Sequence, residues 1–354
     1  MDSRSWWTPP PDPPEHRLPE DLRQRDPLGA RDVGWVSQMR PFVRQFSAPD
    51  ACVLDPFCGF GSTLLAAALE GRRGLGLEID AARAALARER LQRLGVQAQV
   101  RVGALPQRAL EAPVDLCLTN VPYFGCDWPG AATPGQLYAS ADYAAYLRGL
   151  RAVFHAVRRN LREDGFCIAM VENIDLGGVV VPQAWDLARV LGSLFVPCAE
   201  RVLCYPRDGA QALAPGDARS DRSHEYALIF QKRREPLDLA GSAQLLQALR
   251  ADGFDYTVHG SYAAWCADPA AAARLPGDVD LLLPRDPGLL LRLLDWLRTR
   301  GFALSLWGEP LASPPTLAVL DAHHYLRAER RERGGGLLRL DLSLRPGPDS
   351  LTAG

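Results

Sequence analysis

Asp55-Pro56-Phe57-Cys58-Gly59-Phe60-Gly61-Ser62-Thr63 decides the reading of this chain. The apolar run Ala51-Cys52-Val53-Leu54 before it reads as a buried strand, and Leu64-Leu65-Ala66-Ala67-Ala68-Leu69 after it reads as a helix. A strand that turns sharply through glycines into a helix start makes a floor for a small molecule. The glycines let backbone approach closely, and the helix start offers unpaired N–H groups. About twenty residues on, Gly76-Leu77-Glu78 ends a second strand with an acid. A carboxylate at that place accepts the hydroxyls of a ribose.

This cassette resembles motif I of the S-adenosylmethionine-dependent amino-methyltransferases, which modify exocyclic amines of adenine or cytosine in DNA. The pattern Asp-Pro-Phe-x-Gly-x-Gly-[Ser/Thr]-Thr and the downstream Gly-x-Glu carry the match. The dinucleotide fingerprint of dehydrogenases fits less well, because Asp55-Pro56-Phe57 stands where its first glycine belongs. The resemblance implies that Asp55, Phe57, Gly59, Gly61 and Glu78 hold S-adenosylmethionine. Helical spacing from Trp35-Val36 through Phe42-Val43 to Phe46 matches the family's motif X, a segment that closes over the methionine end of the cofactor.

From Cys52 onward strands and helices alternate, which argues a parallel α/β sheet. Strands are expected at 51–55, 73–78, 97–102, 114–119, 166–173, 199–205 and 224–231, and helices at 62–71, 80–94, 140–162 and 183–194. A Rossmann-like sheet of seven strands with a late hairpin-like pair is what the resemblance implies. The stretches 124–138 and 206–223, rich in Gly, Pro, Ala and Asp, are expected to be substrate-facing loops.

A second strong element is Asp115-Leu116-Cys117-Leu118-Thr119-Asn120-Val121-Pro122-Tyr123-Phe124, an apolar strand running out into Asn-x-Pro-Tyr. The resembled family carries [Asp/Asn/Ser]-Pro-Pro-[Tyr/Phe] here, its motif IV. An exocyclic amine conjugated to a ring is a poor nucleophile. Acceptors on its two hydrogens pull the nitrogen towards sp³ and free its lone pair. The resemblance gives that work to the Asn120 side chain and to the carbonyl of Val121 or Pro122, with Tyr123 stacking on a base flipped from its helix. Asn120, Pro122 and Tyr123 are therefore the expected catalytic set. Val121 stands where the family has its first proline, and Asn-x-Pro-Tyr also occurs in methyltransferases acting on RNA guanine and on protein glutamine. After the third strand the chain reads Val102-Gly103-Ala104, without the family's acid for the cofactor adenine. Gly165 through Val171, Val180-Val181-Pro182 and Ser223 through Lys232 extend the resemblance over about 33–232. His224 and Glu225 are catalytic residue types, but capping and orienting the last strand is the preferred expectation over a catalytic role. No insertion is long enough for a full sequence-recognition domain.

The chain has 354 residues, 40 basic and 42 acidic, for a net charge of −2. That balance excludes a global electrostatic footprint for nucleic acid and leaves any such binding to a local arginine patch. Lys232 is the only lysine, which reads as the codon bias of a GC-rich genome. The eight cysteines lie singly, with no Cys-x-x-Cys pair, so no zinc site is expected. Cys52, Cys117 and Cys167 sit in apolar runs, as in a reducing cytosol. No signal peptide or membrane span is legible. The expected setting is cytoplasmic, with no membrane partner.

Residues 1–32, rich in Pro, Arg and Asp, read as an irregular segment, with Trp6 and Trp7 docking onto the fold. Residues 33–236 read as the methyltransferase domain and 237–354 as a smaller α/β domain. In the latter, Gly260-Ser261, then Asp278 and Asp280 two apart on one strand face, then Asp341 on another strand, resemble the nucleotidyltransferase fold over about 240–346. The resemblance implies a nucleoside triphosphate at Gly260-Ser261 and Mg²⁺ on Asp278, Asp280 and Asp341, and the alternative is an inactive relic whose carboxylates bind nothing. The leading expectation is methyl transfer to adenine N6 or cytosine N4 in DNA. The alternatives are an RNA base N-methyltransferase and a non-catalytic nucleotide-sensing or toxin–antitoxin-like interaction protein. The sequence leaves the oligomeric state open.

Overall fold

Val53 and Leu54 of the strand before the glycine turn bury on opposite faces, and so do Leu116 and Cys117, and Cys167 and Ile168. Strands apolar on both faces need a helix layer on each side, and the computed structural model shows that arrangement. It describes residues 2–346 apart from 127, 130–131, 206–208, 210–211, 219, 222, 234 and 273–274. Parts of both expected substrate loops and the end of the expected second domain thus lie outside the described residues. Two compact units divide the chain, Met1–Arg233 and Arg234–Gly354.

In the first unit the order is β1 (Trp6–Trp7), α1 (Glu20–Gln24), α2 (Val36–Phe46), β2 (Cys52–Asp55), α3 (Ser62–Leu69), β3 (Arg73–Glu78), α4 (Ala81–Arg93), β4 (Gln99–Val102) and β5 (Val114–Asn120). It continues α5 (Tyr143–Asn160), β6 (Leu161–Val171), β7 (Ile174–Leu176), β8 (Val179–Val181), α6 (Gln183–Gly192), β9 (Val196–Pro197), β10 (Arg201–Cys204) and β11 (His224–Gln231). The sheet runs β1-β10-β11-β6-β5-β2-β3-β4. Strands β2 to β6 are mutually parallel, while β11 lies antiparallel between β6 and β10. This is the Rossmann-like α/β sheet with the late antiparallel pair that the resemblance implied, but among the described residues it has nine strands rather than seven, because β1 adds an edge to β10 and β9 pairs with β11. Helices α2, α3 and α4 supply Met39, Phe42, Leu64 and Leu91 to one core layer, and α5 and α6 supply Leu150, Phe154, Leu187 and Leu191 to the other.

The strand order reverses between β2 and β5, and the C-terminal ends Asp55, Glu78 and Asn120 open on the same edge of the sheet. Ligands of open parallel sheets bind at that switch point. Strand β6 begins at Leu161, five positions before the expected 166, past a bulge opposite Val114–Leu116. The hairpin β7–β8 was not expected.

The first 32 residues are more ordered than their composition suggested. Trp6 and Trp7 add a parallel edge strand to β10, with Trp7 packed on the core and Trp6 half exposed. Further along, Arg83 of α4 bonds Asp26 and Asp32 at 2.8 Å each, and Arg90 donates to the His16 carbonyl at 2.6 Å. Ion pairs to a distant helix, rather than local periodicity, hold this arm.

The second unit contains α7 (Leu239–Ala251), β12 (Thr257–His259), α8 (Gly260–Ala267), β13 (Val279–Leu283), α9 (Pro287–Thr299), β14 (Ala303–Leu306), β15 (Glu309–Pro310), α10 (Leu317–His323), β16 (Leu326–Arg331) and β17 (Leu337–Leu344). Its sheet order is β12-β13-β17-β16-β14-β15, with β13 and β17 parallel. Leu249, Leu281, Leu293, Leu297, Leu340 and Leu342 make its core.

Candidate active site

The glycine turn after β2 is built by close approach. Gly76 of β3 passes so near that a Cβ there would lie 2.7 Å from Cys58 and 2.8 Å from Leu64. Gly59 and Gly61 take φ of +47° and +78°, which glycine adopts without strain. Arg90 holds the turn from behind, donating to the Phe60 carbonyl at 3.0 Å and to Ser62 Oγ at 3.1 Å.

Asp55 is buried and accepts from the Phe57 amide at 3.0 Å and the Thr119 hydroxyl at 2.6 Å. Burial pushes its carboxyl up to about 6, against the pull of those bonds. Glu78 accepts from the amides of Gly59 at 3.0 Å and Asp80 at 2.9 Å. Burial raises it to about 7. A carboxylate has room for about four donors, so these two bonds orient Glu78 and leave lone pairs for a diol.

Asp55, Phe57, Gly59 and Glu78 share one cavity of about 320 Å³ with Asn120, Pro122 and Tyr123, within the range of small-molecule sites. The cofactor and catalytic sets read from the sequence therefore meet, except that Gly61 lies behind the cavity as the left-handed residue before α3. Asn120 ends β5. Its Oδ1 is buried and has no hydrogen-bond partner among the described residues. Gly34 passes close by, and a Cβ there would stand 3.3 Å from Asn120 Nδ2. The Pro122 carbonyl accepts from the Tyr146 hydroxyl at 2.8 Å. The Phe124 amide donates to Gln183 Oε1 at 3.0 Å, which fixes the end of the segment.

Glu225 does not act as a strand cap. It is buried, accepting from the hydroxyls of Tyr123 and Tyr205 at 3.2 Å each and from Gln38 Nε2. Burial, then the charge of Glu172, pushes it up to about 7. His224 instead sets its ring edge-on to Tyr226, 5.2 Å between centroids. Residues 103–107, directly after β4, carry no acid, and Gln107 lines the cavity there beside Ala104 and Leu105. Asp32 and Gly34 of the N-terminal arm line it too. Gln38, Gln107, Tyr205 and the arm were not singled out in the sequence, and only the helical spacing at 35–46 pointed towards any of them.

In the second unit, the strand pairing brings Asp280 opposite both His259 and Asp341. A Cβ on Gly260 would collide with the Asp280 carboxylate, so glycine is required there. Ser261 Oγ and His259 Nε2 are buried without partners among the described residues. Burial, then Asp278 and Asp341, raise Asp280 to about 7. Asp341 is held by both donors of Arg327, at 2.8 and 2.6 Å, and the same guanidinium stands 3.6 Å from Asp278. Among the described residues no group of His, Cys, Asp or Glu is arranged to hold a metal ion. These residues as they stand do not fit Mg²⁺.

Residues 36–89 match the family model described as DNA methylase. Over 44 residues the chain is 48% identical to "Putative methylase YubD" of Escherichia coli (strain K12). That match covers 12% of this chain, which spans about a fifth (19%) of the length of that curated relative. Among solved structures, TrmN from Thermus thermophilus is similar at 18% identity and a TM-score of 0.39, over 56% of this chain and 48% of that one. The 16S rRNA N2 G1207 methyltransferase RsmC of T. thermophilus, solved with AdoMet and guanosine, is similar at 20% identity and a TM-score of 0.35, over 58% and 44%. No described helix is long and apolar enough to cross a membrane.

Proposed function

We propose that the first unit transfers a methyl group from S-adenosylmethionine to an exocyclic amine of a nucleic-acid base. The observation that carries this reading is the buried, unpartnered Oδ1 of Asn120, facing the same cavity as Asp55, Gly59 and Glu78. A buried acceptor left unpaired costs about 1–3 kcal/mol and calls for an explanation. A substrate N–H donor supplies one.

The donor molecule, when bound, supplies an electrophilic methyl group on a sulfonium sulfur. Glu78 would hold its ribose hydroxyls with the lone pairs not given to Gly59 and Asp80. The turn through Gly59 leaves backbone room for the methionine portion, and Gln107 faces the adenine side. On the substrate, Asn120 Oδ1 accepts one amine hydrogen. The second hydrogen goes to the carbonyl of Val121 or of Pro122, the latter accepting one bond from Tyr146 and keeping a second lone pair. Both bonds draw the nitrogen lone pair out of conjugation. Tyr123 offers its ring to the base, and Glu225 fixes that ring through the hydroxyl. Positioning and fixed dipoles supply the rate; once methylated, the nitrogen is cationic and acidic and releases its extra proton to water, with no strong base required.

The family match ends at residue 89. It covers the turn, α3, β3 and most of α4, and stops before β5. It therefore supports cofactor binding and leaves the target to the Asn120–Tyr123 segment. An unstacked base reaches such a segment from single-stranded RNA as readily as from flipped DNA. The proposed substrate is accordingly a base in nucleic acid, with DNA and RNA separated by experiment. For the second unit, the nucleotidyltransferase resemblance is supported by the meeting of Gly260, Ser261, Asp280 and Asp341. No nucleotidyl transfer is assigned to it, because Arg327 occupies the carboxylates such chemistry needs.

Tritium transfer from labelled S-adenosylmethionine into duplex DNA, single-stranded DNA and total RNA tests the proposal. Label in one of these pools, lost in Asn120→Ala, is the expected result. No label in any pool, with cofactor binding intact, would sink it and favour a non-catalytic scaffold.

A further inference from the structure

Three neighbouring strands of the second unit carry charged residues in one row. Asp280 of β13 pairs with Asp341 of β17, and Asp341 pairs with Arg327 of β16. Side chains of directly paired residues leave the sheet on the same face. Strand register alone thus delivers a guanidinium to the carboxylates. Arg327 donates from Nε and Nη2 to the two oxygens of Asp341, and Nη2 lies within 3.6 Å of Asp278. Its side chain is 16% exposed. A bidentate arginine fork matches a carboxylate in plane and stays charged at every working pH.

Mg²⁺ asks for something different. It takes an octahedral oxygen shell at short range and relies on carboxylate oxygens that are free to face it. Here both oxygens of Asp341 face the fork, and Asp278 shares the same positive charge. A divalent ion placed among the three aspartates would have to displace a cation tethered to β16, at a distance where like charges repel strongly.

We infer that Arg327 is the resident cation of the second unit, standing where the resembled family places a divalent metal, so that this unit binds no divalent metal ion. The inference does not depend on what the first unit methylates. It separates the architecture of this unit from two-metal chemistry. The carboxylates keep their places in the sheet, and their charge is answered from within the chain.

Electron paramagnetic resonance of Mn²⁺ titrated into the full-length protein tests this, alone and then in the presence of ATP, with Asp280→Asn as the blank. The wild type is expected to bind no more Mn²⁺ than the blank. Arg327→Gln, shown folded by its circular dichroism melt, is expected to gain Mn²⁺ affinity by roughly tenfold or more, the scale of one removed unit charge in a partly buried site. That gain should vanish in the Arg327→Gln, Asp280→Asn double variant. Arg327→Lys, which keeps the charge, should behave as the wild type. Mn²⁺ bound by the wild type and lost in Asp280→Asn overturns the inference, and this comparison stands even if Arg327→Gln does not fold. A folded Arg327→Gln that binds no more Mn²⁺ than the wild type overturns it equally.

Discussion

The Tyr123 hydroxyl donates to Oε1 of Glu225 across 3.2 Å, tying the aromatic wall of the cavity to the strand β11. The carboxyl faces Tyr123 from the segment after β5, Tyr205 from the segment after β10, Gln38 from α2 and, by charge, Glu172 from the segment after β6. Burial and Glu172 raise it to about 7. Between the ordinary carboxyl range and about 7 the folded protein holds a proton that the unfolded chain has released. This contribution to stability is complete at acid pH and is lost as the pH rises through about 7. Asp55 and Glu78, also raised, act in the same direction. Glu225→Gln is expected to flatten the fall in unfolding free energy between about pH 5 and about pH 8 by roughly 1–3 kcal/mol, read from urea midpoints. Equal slopes for variant and wild type would count against the assignment.

Asn120→Ala should lower methyl transfer by roughly 10²-fold or more, because it removes a fixed acceptor aimed at the reacting amine. Affinity for S-adenosylmethionine should stay within about a factor of three. Single-turnover kinetics and calorimetric titration separate the two. A parallel loss of both would place Asn120 in the cofactor site instead.

Glu78→Ala should weaken S-adenosylmethionine binding by roughly 10- to 100-fold, the scale of hydrogen bonds to a charged acceptor. It also releases the Gly59 amide from its present partner. Calorimetry with the unlabelled cofactor measures this, and an unchanged Kd would remove Glu78 from the ribose site.

Arg83→Met leaves Asp26 and Asp32 without their guanidinium, with the Asp26 side chain fully buried. Breaking a buried ion pair from one side costs about 3–5 kcal/mol. The variant should lose that much stability, and limited proteolysis should now cut within residues 12–34 at protease levels the wild type resists. Protection equal to the wild type would show that the arm is held by other contacts.

The turn at 55–63 was legible because its signal is local. A both-face apolar strand, two glycines and a helix start lie within one short window, and the parallel alternation followed from the same patterning. Asn120 through Tyr123 was legible for the same reason. Glu225 was not. Its partners Tyr123, Tyr205 and Gln38 lie 102, 20 and 187 positions away, so the sequence showed only an acid on a strand and suggested a cap. The N-terminal arm failed similarly, since Asp26 and Asp32 meet Arg83 more than fifty positions on. Arg327 drew no notice because a basic residue on a half-buried strand reads as solvated, and only the register with Asp341 gives it a role.

Strand β1 is two residues long, yet it lies along β10, with the Ser5 carbonyl accepting from the Val202 amide at 2.8 Å. Without it β10 would offer a row of unsatisfied amides and carbonyls to any passing extended chain, the usual route to edge-to-edge aggregation. Trp6 and Trp7 therefore act as a stopper that ends the growth of the sheet. A protease cut or shortened expression product that loses the first ten residues would keep every group in the cavity and still give a sticky protein.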